Sequence, residues 1–253
     1  MEIGAQFYTL REFCKTPRDL ASSLEKVAEI GYRTVQISGV CPYEPEWLAD
    51  RLREYGLRAV LTHTNPDRIR TDTHAVFLEH KSFNCQYIGI GSMPGGFDHP
   101  ENYDAFVRNF RPVGEQIAHW GGKLMYHNHQ MELSKAPDGF RYLEKMAEDF
   151  SPQALGFTLD TYWIQYAGGD PAFWISQLAG RVPCIHLKDM TCAGKEQRMA
   201  PVGQGNMNFE RVFAAAEEAG TEYMLVEQDN CYNEDPFICL KRSYEYLTAV
   251  GFH

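Results

Sequence analysis

Four short stretches of the chain combine apolar residues with ionisable ones in a way that could assemble a reaction centre. YHNHQMEL supplies Tyr126, His127, Asn128, His129 and Glu132; FTLDTYW supplies Asp160; IHLKDM supplies His186, Lys188 and Asp189; LVEQDN supplies Glu227, Gln228 and Asp229. A carboxylate-rich set with one or two imidazoles suits a hard or borderline divalent ion, Mn2+, Zn2+, Mg2+ or Co2+, better than a soft one. One such ion would polarise two adjacent oxygens of a bound sugar, a carbonyl and its neighbouring hydroxyl, and stabilise the enediolate left when the shared carbon proton departs. A carboxylate not fully used by the ion could take that proton and return it.

Each residue also has a plainer reading. A lone Asp at a strand end is commonly a helix cap, and a lone His is commonly a satisfied structural group. Lys188 and Asp189 could form a surface ion pair, and Glu227 could pair with a neighbouring cation. The functional reading gains from coincidence, because four consecutive strands would each have to end in ionisable groups for unrelated reasons.

What must position these residues is a regular alternation. Eight apolar segments, Ile3 to Tyr8, Thr34 to Ser38, Arg58 to Thr62, Tyr87 to Ile90, Lys123 to Tyr126, Leu155 to Leu159, Val182 to Leu187 and Tyr223 to Val226, are too short for helices and rich in β-branched or aromatic residues. Buried parallel strands have this character. Helical patterns lie between them. Thr16-Pro17 caps and opens a helix with Leu20, Leu24, Val27 and Ala28 on one face, and Gly31 ends it. Asp170-Pro171 and Asp235-Pro236 repeat that device, Asn208 can cap the helix from Phe209, and Pro112 should kink or split the helix around Tyr103 to Trp120. Eightfold alternation predicts an α/β fold, a (β/α)8 TIM barrel, as a single domain over residues 1–253. The first strand-helix turn, TLREFCKTP, lacks the GxGxxG of an open dinucleotide-binding sheet. In a barrel all four rich endings meet at one mouth, the C-terminal one.

Composition narrows the partners. A formal net charge of -10 disfavours nucleic acid, which needs clustered Lys and Arg. Seven scattered cysteines without CxxC spacing fit neither a disulfide framework nor a thiolate zinc site. No apolar run is long enough to cross a bilayer, and the opening MEIGAQFYTLREF lacks the basic stretch and apolar block of a signal peptide, so a cytoplasmic location without membrane contact is expected.

The strings YHNHQMEL, LGFTLDTYW, IHLKDM, PVGQGNMNF and MLVEQDN, with the opening IGAQFYTLRE, resemble the xylose-isomerase-like sugar phosphate isomerase/epimerase family over nearly the whole chain. They look most like the branch with a YHNH motif and are similar to inosose dehydratases. The resemblance implies one divalent ion held by Glu, Asp, His and Glu at four strand ends; Asp160, His186 and Glu227 match the last three. Many relatives have Glu where this chain has His127. Either His127 supplies the first ligand or Glu132 replaces it from the loop, and Glu132 is favoured, because a carboxylate keeps the ligand set and leaves His127 and His129 for substrate. Glu227 is then both ligand and candidate base, with His127, His129 and Lys188 as candidates for protonating or steering a departing or migrating oxygen.

Other mouth residues carry weaker signals. Arg198 with Gly203 and Gly205 lies near where barrels often bind phosphate, although a lone GxG also makes a turn. Tyr8, His63, Tyr162 and Trp163 could stack on or bond to a sugar. With no Lys/Arg cluster, an unphosphorylated sugar or cyclitol is the expected substrate. The leading reading is an isomerase or epimerase working through an enediolate. The alternative is a lyase in which the same deprotonation is followed by loss of a β-hydroxyl or alkoxy group. A nuclease would need a larger His and carboxylate set with a basic surface, and a binding protein without turnover would not need the intact Asp160, His186 and Glu227. The resemblance and an aromatic content of 13% also suggest a homo-oligomer.

Overall fold

The computed structural model describes residues 1–253. Its strands are β1 (Glu2–Gln6), β2 (Thr34–Ile37), β3 (Arg58–His63), β4 (Tyr87–Ile90), β5 (Lys123–His127), β6 (Gly156–Asp160), β7 (Cys184–Leu187), β8 (Asp189–Ala193), β9 (Glu196–Ala200) and β10 (Tyr223–Val226). All but β8 and β9 close into a parallel barrel in the order β1-β10-β7-β6-β5-β4-β3-β2, with helices in the connections. This is the (β/α)8 architecture expected from the alternation. Closure sets Glu2 opposite Tyr223 and Ala5 opposite Val226. No helix is long and apolar enough to cross a membrane. All seven cysteines are free, and Cys14, Cys41, Cys85, Cys184 and Cys239 are buried.

The period of two along a strand decides what fills the barrel. Met125 and His127, Cys184 and His186, and Leu225 and Glu227 each lie two apart on one face. The first member of each pair joins Val60, Leu61 and Tyr87 in a small apolar cluster, separate from the main core. The second member stands one layer higher, at the mouth. The polar site therefore rests on an apolar floor, while the main core packs strands against the surrounding helices.

Helix boundaries follow local chemistry. Thr16 accepts a hydrogen bond from Asp19 N, opening the helix Pro17–Ile30. Gly31 ends it at φ 127°, where a Cβ would run into the Tyr244 ring. Asp170, Asn208 and Asp235 cap Pro171–Gln177, Phe209–Ala219 and Pro236–Ala249 as their sequences predict. Such a cap contributes about 1 kcal/mol.

Three expectations change. The first strand stops at Gln6 instead of running to Tyr8, because the Gln6 side chain accepts from Tyr8 N and starts a 3-10 helix, Phe7–Phe13. Pro112 does not split its helix, which runs unbroken over Pro100–His119. Pro112 and Arg108 are both exposed, so the carbonyl that the missing N–H leaves unpaired lies on the solvent side. The β7–β10 connection also carries an antiparallel hairpin, β8 with β9, that the mixed polar sequence DMTCAGKEQRMA does not announce.

Candidate active site

Strands β5, β6, β7 and β10 are neighbours in the barrel, so the four ionisable endings fall on one contiguous arc of the mouth. Asp160 lies directly opposite His186 in the β6–β7 ladder. His127, Asp160, His186 and Glu227, all buried, each offer one donor atom, and these atoms lie within 4.8 Å of one another. Two imidazoles and two carboxylates converging in this way could hold a divalent cation.

Buried partners fix each donor. His127 Nδ1 donates to the Gly91 carbonyl at 3.0 Å, leaving Nε2 3.2 Å from Asp160 Oδ2. His186 Nε2 donates to Gln36 Oε1 at 2.7 Å, turning Nδ1 towards Glu227 Oε2 at 2.9 Å and Asp160 Oδ2 at 3.6 Å. Gln6 Nε2 donates to Glu227 Oε1 at 3.1 Å. Asp160 divides its labour: Oδ1 accepts from Trp163 N and caps the helix Thr161–Tyr166, while Oδ2 faces the cluster. Asp160 is thus at once a helix cap and a member of the cluster.

The fit to a cation rests on two orphaned atoms. His186 Nδ1 and Glu227 Oε2 are buried, yet neither completes a hydrogen bond despite their 2.9 Å separation. Two lone-pair donors so close together need a proton or a cation between them. Lys188 meets part of that need, with Nζ 3.0 Å from both Asp160 Oδ2 and Glu227 Oε2 and 2.9 Å from Asp229 Oδ2.

Charge and burial compete throughout the cluster. Burial disfavours ionising Asp160 and Glu227, but Lys188 and the imidazoles outweigh it and hold both carboxyls well below the usual carboxylate range. Burial likewise opposes charge on Lys188, and its three carboxylates reverse that, holding the ammonium above its ordinary range. Burial, then Glu227, pushes Asp229 up to about 7. Burial and the neighbouring His127 bring His129 down to about 3.

The structure does not bring Glu132, the ligand favoured from sequence, into the cluster. Its carboxylate is buried, with Oε1 accepting from Tyr126 Oη at 2.6 Å and Oε2 from His129 N at 2.8 Å. It braces the loop that carries His129, and His127, the last residue of β5, supplies the fourth of the converging atoms. Arg198 is likewise elsewhere: on β9, part-exposed, paired with Glu196 and set over the Tyr232 ring. The N–H groups of Gly203 and Gly205 do not await a phosphate, since both donate to Asp189 Oδ2. At Gly205 a Cβ would run into that carboxylate, which accounts for the glycine.

Tyr8, His63, His129 and Trp163 do line the mouth, around a cavity of about 440 Å³ that also exposes Lys188, Glu227 and Asp229. His129 stacks edge-on to His127 and faces Trp163. Buried and unpartnered there are His63 Nε2, His129 Nδ1 and Trp163 Nε1. Sequence reasoning passed over Gln6, Gln36 and Arg11. A signal existed for the two amides, since inward parity along β1 and β2 puts a lone Gln of an apolar strand inside the barrel.

Residues 24–237 match the family described as xylose isomerase-like TIM barrel. An inosose dehydratase of Geobacillus kaustophilus is 23% identical over 272 residues, covering 91% of this chain and 87% of that protein. An inosose dehydratase of Mesomycoplasma hyopneumoniae is 21% identical over 206 residues; the match spans 74% of this chain and 66% of the relative's length. A solved sugar phosphate isomerase/epimerase of Parabacteroides distasonis superposes with a TM-score of 0.81 at 22% identity, covering 99% of this chain and 94% of that one, a likeness of fold.

Proposed function

The chain belongs to the xylose isomerase-like TIM barrel family, and from that premise we propose that it is a metal-dependent carbon–oxygen lyase acting on a keto-sugar or inosose. The observation that carries the reading is the placing of Lys188 Nζ 3.0 Å from Glu227 Oε2. One carboxylate base and one cationic acid thus face the same cavity. The names of the dehydratase relatives support the same class.

His127, Asp160, His186 and Glu227 would hold the ion, and their mixed imidazole and carboxylate donors suit Mn2+, Co2+ or Zn2+ better than Mg2+. Such an ion, when bound, would supply Lewis-acid polarisation of the substrate carbonyl. Glu227, oriented by Gln6, takes the proton from the carbon beside that carbonyl. Lys188 hands a proton to the oxygen on the next carbon. The C–H and C–O bonds break, a C=C bond forms, and the oxygen leaves as water or an alcohol. Tyr8, His63, His129 and Trp163 hold the remaining hydroxyls and the sugar face.

Isomerisation or epimerisation, placed first on sequence, shares the proton abstraction and differs in returning the proton to carbon. The Parabacteroides protein, named for that chemistry, keeps it as the second reading. Incubation of the metal-loaded protein with keto-sugars and inososes separates the two. Elimination gives an enone with new ultraviolet absorbance, whereas a product of unchanged mass overturns the lyase reading. With metal restored, Glu227→Gln should still bind substrate but lose exchange of the α-proton with deuterated solvent by about 10²- to 10⁴-fold. Exchange at the wild-type rate would place the base elsewhere.

A further inference from the structure

Lys188 and Arg11 are the two basic side chains other than histidine lining the mouth cavity, and they are treated differently. Lys188 is enclosed by three carboxylates. Arg11 has none: its Nη1 donates to the Tyr8 carbonyl at 2.9 Å and its Nη2 to the Asp229 carbonyl at 2.8 Å. Its guanidinium also stacks over the Tyr8 ring, 4.5 Å from the centroid. Gly39 makes room for this arrangement, since a Cβ there would lie 2.7 Å from Tyr8 and 3.4 Å from Arg11. The guanidinium is therefore pinned in place while its remaining N–H donors stay uncommitted. A planar, preorganised fork of this kind suits a carboxylate.

The charge balance of the mouth points the same way. Lys188 is met by Asp160, Glu227 and Asp229, whereas Arg11 meets no carboxylate and stands as a single uncompensated positive charge inside a chain whose formal net charge is -10. A surplus of one charge calls for a monoanion; a phosphate monoester, close to a dianion at neutral pH, would overshoot it.

We infer that Arg11 is a specificity-determining residue that binds a carboxylate on the substrate, so that the substrate class is a sugar or cyclitol acid. The inference rests on the reading of the mouth as a metal-bearing site. Asp229 links the two cations, its carboxylate on Lys188 and its carbonyl on Arg11, and so sets the substrate's anionic end beside the proton-transfer groups.

The test is calorimetric titration of the Mn2+-loaded protein with D-glucuronate, D-glucose 6-phosphate and D-glucose, with metal content measured in each sample. The wild type should bind D-glucuronate about 10- to 100-fold more tightly than D-glucose, the range of a hydrogen-bonded charge pair. Arg11→Gln should weaken D-glucuronate binding at least about 10-fold more than D-glucose binding while leaving metal content unchanged, and Arg11→Lys should retain part of the preference. An Arg11-dependent preference for the phosphate ester would overturn the carboxylate assignment. The absence of any preference in the wild type would overturn it too, as would equal weakening of all three sugars by Arg11→Gln, the mark of a residue that only tethers the Asp229 loop. A wild type that takes up no Mn2+ fails the metal reading itself, and the metal measurement separates that failure from the others.

Discussion

A cavity opens at each end of the barrel, and the two ends are made of different chemistry. At the N-terminal end about 340 Å³ is enclosed by residues such as Leu52, Leu57, Val60, Phe83 and Tyr223. The polar groups nearby are spent on each other, Tyr87 Oη on Glu222 and Arg58 on Glu2. At the mouth the cavity is of similar size, but buried donors converge there with orphaned atoms among them. Volume does not mark a site; convergent titratable groups with unmet valence do. The fold produces the asymmetry by parity, because on β3, β5, β7 and β10 one inward layer is apolar, Leu61, Met125, Cys184 and Leu225, and the next carries His63, His127, His186 and Glu227.

The contrast can be broken most directly at the residues proposed to hold the metal. Asp160→Ala and His186→Ala should each lower divalent-metal affinity by more than about 100-fold, as each removes a direct donor. Elemental analysis after dialysis measures it, with circular dichroism to check folding. Full retention of metal in both variants would leave the mouth no different in kind from the base.

A smaller effect sharpens the picture one shell further out. Gln36→Leu should weaken metal binding by about 10- to 100-fold, since the acceptor that aims His186 Nδ1 inward is lost. An unchanged affinity would mean that the β7 backbone alone orients the ring. The smallest change belongs to the other end. Tyr87→Phe removes the bond to Glu222 and should cost about 1 kcal/mol in urea unfolding with no change in metal affinity. A shift in metal binding would show the two ends to be coupled.

Much of this was readable in the residues. All eight barrel strands lie where the apolar runs are, because a strand covered on both faces leaves no room for polar punctuation. The caps at Thr16, Asp170, Asn208 and Asp235 were equally plain, each being a local interaction written in adjacent positions. Asp160, His186 and Glu227 converge as the strand ends required. That His127 and not Glu132 joins the cluster was not readable, because it turns on a loop that folds Glu132 back onto Tyr126, a contact with no periodic signature. The β8–β9 hairpin was hidden for a related reason: its central residues are exposed, so no apolar alternation marks them. Arg11 was missed because its role comes from what it lacks, a carboxylate partner, and a sequence does not display absences in space.

The seam between β1 and β10 carries a consequence for the order of events in folding. Gln6 reaches Glu227 across 221 residues of chain, and Tyr32 reaches the Leu240 carbonyl across 208. Contacts of such separation bear the largest loop-closure entropy and form late, whereas each strand-helix unit can organise locally. The carboxylate proposed as base is thus oriented only when the two ends of the polypeptide meet. In a refolding chain, secondary structure should return before the ability to hold Glu227 in place, so maturation of the centre reports ring closure rather than helix formation.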